Sequence, residues 1–156
     1  MTASPAPLLW VTESAVRQLS DAAKASHPDE TGGILLGLYA GGVPWVTRTV
    51  EIPTKERGPR RFLIPAGRTT SLVKQAREDD PRLGYLGDWH SHPADVGPSK
   101  TDLMSLGLVS VRHPRQPNPT LVVVRRRGEG RYGLDTRRIV TVRPRICVVT
   151  ETGEPE

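Results

Sequence analysis

Residues 33–52, GILLGLYAGGVPWVTRTVEI, constrain the architecture of this chain more than any other stretch. Gly33 to Tyr39 is a short apolar run of strand length and reads as a buried strand. The Gly41-Gly42 pair suits a tight reversal, so Val43 to Ile52 follows as a second strand. Further strand candidates are LLWV (8–11), Arg61 to Ile64, Leu83 to Trp89, Thr120 to Arg126, Tyr132 to Leu134 and Ile139 to Val149, with a turn at Gly128–Gly130. Helical spacing occurs three times. Glu13 to Ala25 places Val16, Leu19 and Ala23 on one face, with Thr12 as its cap. Thr69 to Glu78 does the same with Leu72, Val73 and Ala76. Thr101 to Val111 offers two apolar sets, Leu103, Leu106 and Ser110, and Met104, Leu108 and Val111. Strands and helices therefore mix in irregular order, which predicts an α/β (α+β) chain with a single mixed sheet flanked by helices.

No repeat or linker divides the 156 residues, which make about one ordinary domain. The expected domain is 1–150, followed by a disordered acidic tail, ETGEPE, at 151–156. Pro53 to Arg60 is a polar loop that can touch a substrate or simply be solvated.

The formal charge of +5 raises nucleic acid as a partner. Eighteen arginines against four lysines are scattered, however, and the one tight cluster, Arg125–Arg127, has no aromatic platform beside it. Nucleic-acid binding is not expected as the main role. The single cysteine, Cys147 in ICVV, has no partner for an internal disulfide and reads as a buried structural thiol. The first residues lack a secretion signal and no apolar run is long enough to span a membrane, so a cytoplasmic protein without a membrane partner is expected.

The chemistry concentrates in residues 87–102, GDWHSHPADVGPSKTD. On a strand, alternate side chains share a face, so His90 and His92 point together while Ser91 points away. Two imidazoles emerging together suit a borderline metal such as zinc. The Pro- and Gly-rich loop PADVGPSKT can then return Asp102 toward them. Three protein ligands of this kind leave a fourth position open for water, the pattern of a catalytic rather than a structural Zn2+ site. Ser99-x-x-Asp102 also matches a helix capping box. A cap needs no histidines, though, and the two readings can coexist. Hydrolysis further wants a general base. Glu30, before the buried strand in ETGGILLG, is one candidate, but spacing alone leaves it a solvated loop acid. Asp88 and Asp95 are nearer in sequence; Asp88, two before His90, shares its face and can support a ligand, but a surface position is expected for it.

His90-Ser91-His92-Pro93, Ser99-Lys100-Thr101-Asp102 and the preceding Glu30-Thr31-Gly32-Gly33-Ile34-Leu35-Leu36-Gly37 together resemble the JAMM (MPN+) zinc metalloproteases, above all their compact bacterial branch. The resemblance spans about residues 8–150. It implies a curved mixed sheet between helices, related to cytidine deaminases. It implies one Zn2+ held by His90, His92 and Asp102, Glu30 as general base, and Ser99 stabilising the oxyanion. The implied activity is cleavage of isopeptide or peptide bonds at the C-terminus of a ubiquitin-like or sulphur-carrier protein, with E1-like or E2-like proteins as operon partners. The loop between His92 and Ser99 holds six residues, one fewer than in the eukaryotic enzymes, and the chain is too short for their specificity insertions. The chemistry carries over; linkage selectivity does not. The alternative is a non-catalytic MPN-type scaffold, which would lack some of the five residues present here. A nucleoside deaminase is set aside, because neither H-x-E nor P-C-x-x-C occurs.

Overall fold

The computed structural model describes residues 5–52, 64, 66–112 and 118–156. Its strands are β1 (Leu8–Thr12), β2 (Gly32–Ala40), β3 (Val43–Glu51), β4 (Gly84–His92), β5 (Thr120–Gly128), β6 (Arg131–Val140), β7 (Arg143–Ile146) and β8 (Val148–Thr152). The helices are α1 (Glu13–Ser26), α2 (Ala66–Asp79) and α3 (Lys100–Arg112). The expected loop at Pro53–Arg60 and all but Ile64 of the strand candidate at 61–64 lie outside the described residues.

All eight strands join one mixed sheet in the order β7-β6-β5-β4-β2-β3-β1-β8. β1 lies parallel to β3 and β8, and β4 parallel to β5; the other neighbours are antiparallel. The two edges of this order, β7 and β8, are consecutive in the chain with Cys147 alone between them. One length of backbone thus reaches from one edge toward the other, and the sheet curves until it is nearly closed. The Gly41-Gly42 turn sits where the sequence places it, with both residues at positive φ (57° and 79°). These are the angles that a two-residue hairpin loop favours and that glycine adopts without strain.

Helices cover both faces. Ala15, Leu19 and Ala23 of α1 pack on Leu35, Val46, Leu86, Trp89, Val122 and Val124. The Thr12 hydroxyl accepts the Ala15 N–H at 3.1 Å and caps this helix. On the other face, Leu72 and Ala76 of α2 pack on Ile34 and Leu36, while Leu106 of α3 packs on Leu121, Val123 and Ile139. Leu35 and Leu36 are adjacent, opposite-facing and both fully buried. Each such leucine contributes on the order of 2 kcal/mol through removal of apolar surface from water.

The parallel pair β4–β5 needs a crossover, and α3 supplies it. Its buried stripe is Asp102, Ser105, Leu106 and Val109, at i, i+3, i+4 and i+7. The apolar set Met104, Leu108 and Val111 faces outward instead, at 71%, 44% and 79% exposure. Asp102 therefore heads the inward stripe of its helix.

Three further boundaries differ from the sequence expectation. α2 begins at Ala66, before Thr69. β6 is one strand from Arg131 to Val140, and a turn at Thr141–Val142 divides what composition reads as a single extended run. β8 runs on to Thr152, past the expected domain end at 150, because Leu8–Thr12 offers it a parallel edge. Trp45 Nε1 donates to Thr152 Oγ1 at 2.7 Å, Ser14 Oγ donates to Glu154, and an Arg82 guanidinium N–H donates to the Glu156 carbonyl at 2.9 Å. No helix among the described residues is long and apolar enough to cross a membrane.

Candidate metal centre

The motif histidines lie inside β4 rather than beyond its end. Alternation works as expected. Ser91 turns away, is buried, and accepts the Thr31 N–H at 2.9 Å, while its own N–H donates to the Thr31 carbonyl at 2.8 Å. His90 and His92 share the other face with their Nε2 atoms 3.1 Å apart. That face is the one covered by α3, since His90 stands opposite Val123 in the parallel register.

The N-terminus of α3 brings the third group. Asp102 Oδ1 lies 3.2 Å from His90 Nε2, and Oδ2 lies 3.5 Å from His92 Nε2. One ligand atom from each of the three residues falls within 4.8 Å of the other two, a group that could hold a metal ion. The capping box coexists with it. The Ser99 N–H donates to Asp102 Oδ2 at 2.7 Å, and the Asp102 N–H donates to Ser99 Oγ at 3.1 Å. The same reciprocal bonds that start the helix aim the carboxylate at the imidazoles.

The protons decide whether the arrangement suits a metal. His92 Nδ1 lies 2.9 Å from the Val96 carbonyl oxygen, which can only accept, so Nδ1 carries the hydrogen. Nε2 is then the ring atom that faces Asp102 Oδ2 and His90 Nε2: it donates to the carboxylate when His92 is protonated and offers a lone pair to a metal when His92 is neutral. A divalent cation takes the place of the shared protons, drawing a lone pair from each imidazole and one from the carboxylate. Burial opposes ionisation of Asp102, but hydrogen bonds with His90 and His92 outweigh it and hold the carboxyl well below the usual carboxylate range. The hydrogen bond to Asp102 raises the His92 pKa, against burial and with help from the Val96 carbonyl and the charges of Asp102 and Glu30. The donor set fits a Zn2+-type ion.

Glu30 stands exposed at the rim, just before the Thr31–Ser91 contact and the Gly32–His90 pairing. Its charge acts on His92, so the antiparallel β2–β4 register brings it within electrostatic reach of the centre. Gly33, in the same motif, has to be glycine: a Cβ there would lie 1.7 Å from the Val50 carbonyl oxygen. Ser99 is also exposed, at the mouth of the site. Asp88, expected on the surface, is instead partly buried and lines a small cavity with His90, Asp102 and Ser105. Burial pushes its pKa up to about 6, against a 2.7 Å hydrogen bond from the Tyr85 hydroxyl. The Val96 carbonyl is the partner that sequence could not reveal, because a backbone acceptor leaves no mark on residue type.

Residues 12–135 match the family of prokaryotic homologs of the JAB domain. The chain belongs to this family. Curated relatives of this JAB-domain chain include a probable metalloprotease of Sinorhizobium fredii, 29% identical over 124 residues and 75% of both chains. A CD-NTase/cGAS isopeptidase of Pseudomonas aeruginosa is 29% identical over 122 residues, 75% of this chain and 76% of the relative. A CysO-cysteine peptidase of Mycobacterium tuberculosis is 30% identical over 119 residues, 76% of this chain and 73% of the relative. Among solved structures, a protein of Desulfitobacterium hafniense superposes with a TM-score of 0.68 at 18% identity, covering 94% of this chain and 96% of that one. A JAB1/MPN domain protein of Archaeoglobus fulgidus does so with a TM-score of 0.50 at 17% identity, covering 90% and 98%. Both neighbours share the fold of this chain.

Proposed function

We propose that this JAB-domain protein is a zinc-dependent peptidase or isopeptidase that cleaves at the C-terminus of a ubiquitin-like or sulphur-carrier protein. The observation that carries the reading is the convergence of His90, His92 and Asp102 on one point. Relatives named as a metalloprotease, an isopeptidase and a CysO-cysteine peptidase support the reaction class and a small carrier protein as substrate.

His90, His92 and Asp102 would hold the metal. When bound, zinc lowers the pKa of a water in its open position to about 7 and polarises the substrate carbonyl. The Glu30 carboxylate accepts a proton from the attacking water. As the water oxygen bonds to the carbonyl carbon and the C–N bond breaks, Glu30 returns that proton to the departing nitrogen. Ser99 Oγ already accepts the Asp102 N–H, which leaves its hydroxyl hydrogen to be donated to the oxyanion. His92 keeps its orientation through Nδ1 and the Val96 carbonyl.

The test is incubation with fusions that extend the C-terminus of ubiquitin-like and sulphur-carrier proteins. Cleavage is expected in the zinc-loaded protein, is lost on chelation and returns with zinc. Glu30→Gln should keep its zinc and lose turnover by at least about 100-fold, the usual scale of general-base catalysis. A Glu30→Gln variant that cleaves at the wild-type rate overturns the mechanism. A wild-type protein with neither zinc nor cleavage favours a scaffold.

A further inference from the structure

We propose that Arg125 is a positioning residue for the metal centre, gripping Asp95 so that the neighbouring Val96 carbonyl is held against His92 Nδ1. The inference rests on the reading of His90, His92 and Asp102 as zinc ligands.

Arg125 lies on β5 directly opposite His92 in the parallel register. Its guanidinium ties the loop to the sheet with three different N–H donors. Nε donates to Asp95 Oδ1 at 2.8 Å, a second nitrogen donates to the Asp95 carbonyl at 3.2 Å, and the third donates to Asp135 Oδ2 at 2.8 Å. Asp135, on β6, also accepts from Arg137 and is itself largely buried. The side chain and the main chain of Asp95 are both fixed, and the next carbonyl along is the one that accepts from His92 Nδ1 at 2.9 Å. Gly97 shows how closely the loop is pressed on this clamp. A Cβ there would meet Asp135 Oδ2 at 2.6 Å and an Arg125 nitrogen at 3.4 Å.

The loop from Pro93 to Pro98 is neither helix nor strand; a main-chain bond from the Val96 N–H to the Ala94 carbonyl at 2.9 Å turns it at Asp95, and the side-chain ties of Asp95 anchor that turn to the sheet. Orientation matters because the acceptor on Nδ1 sets both the tautomer and the ring angle with which Nε2 meets the metal. Loss of such an outer partner typically weakens metal binding by about 10–100-fold. A planar fork with separated donors is required, and a lysine ammonium cannot span the same three acceptors. Asp95 is 55% exposed, so its ion pair contributes little to folding stability. A structural role alone would leave zinc affinity unmoved.

The experiment measures zinc dissociation constants by competition with a chromophoric chelator, alongside thermal unfolding of the metal-free proteins and nitrogen-15 imidazole spectra. Arg125→Gln and Arg125→Lys should bind zinc at least about 10-fold more weakly than wild type. The Arg125 variants also lose the bond to the largely buried Asp135 and should melt lower when metal-free, whereas Asp95→Ala should melt close to wild type; the protected His92 Nδ1–H signal should be lost with Arg125. Asp95→Ala, which leaves β5 intact and keeps the carbonyl bond, should shift affinity in the same direction by less, and carries the test if the Arg125 variants do not fold. Arg82→Gln breaks another Arg–Asp pair, with Asp80 at 3.0 Å, and should leave zinc affinity unchanged. The proposal is overturned if Arg125→Gln and Asp95→Ala both bind zinc within twofold of wild type, or if Arg82→Gln weakens binding equally. A wild-type protein that binds no zinc at all brings down the metal reading first, and this inference with it.

Discussion

Ser99 and Asp102 each serve two masters. One Asp102 oxygen accepts the Ser99 N–H at 2.7 Å, and the other faces His90 at 3.2 Å. Capping and ligation therefore use the same rigid carboxylate rather than competing for it. Two separable effects of Ser99→Ala follow. Loss of the cap should cost about 1 kcal/mol of stability, read from a denaturant midpoint. Loss of an oxyanion donor should lower turnover of a cleaved fusion by about 100-fold or more. A variant that pays the first penalty and keeps full turnover removes Ser99 from the chemistry. The histidine pair was legible because strand alternation is a rule of geometry, and His-x-His has no helical or strand-forming purpose. Glu30 was not legible from spacing: it gains reach only through the β2–β4 register, some sixty residues away in sequence.

Two elements, α3 and the β6–β7 hairpin, depart from what local sequence predicts, because non-local packing decides both. Apolar spacing in α3 permits more than one inward face, and Met104, Leu108 and Val111 look as suitable as the stripe that is buried. The fold selects the stripe that begins at Asp102, because the carboxylate and Leu106 must reach the same sheet face. The β6–β7 hairpin went unseen because its turn, Thr141–Val142, contains none of the usual turn residues. Both stand at positive φ, 50° and 59°, where a β-branched side chain is strained. Val142 is 89% exposed, so its side chain gains almost nothing in return. Val142→Gly should therefore stabilise the protein by about 1 kcal/mol, measured as a rise in the denaturation midpoint at unchanged slope. An unchanged or lower midpoint would argue that the turn is not of this type.

For the whole molecule, the sequence correctly announces one mixed sheet flanked by helices, because buried-strand runs and amphipathic helices are local signals. It does not announce how the sheet curves. That depends on β7 and β8 joining opposite edges through Cys147, a non-local pairing with no compositional trace. Burial of that link leaves Cys147 only 8% exposed and raises its thiol pKa, as befits a structural cysteine. The β4–α3–β5 crossover is what converts the local motif into a site, since it folds the helix start back over the strand that carries the histidines. Native mass spectrometry after zinc reconstitution and desalting tests this most directly. One zinc per chain is predicted for the wild type and none for His92→Ala or Asp102→Asn, with all three folded by circular dichroism. A wild-type chain that emerges metal-free, or an Asp102→Asn chain that keeps a full equivalent of zinc, would contradict the account.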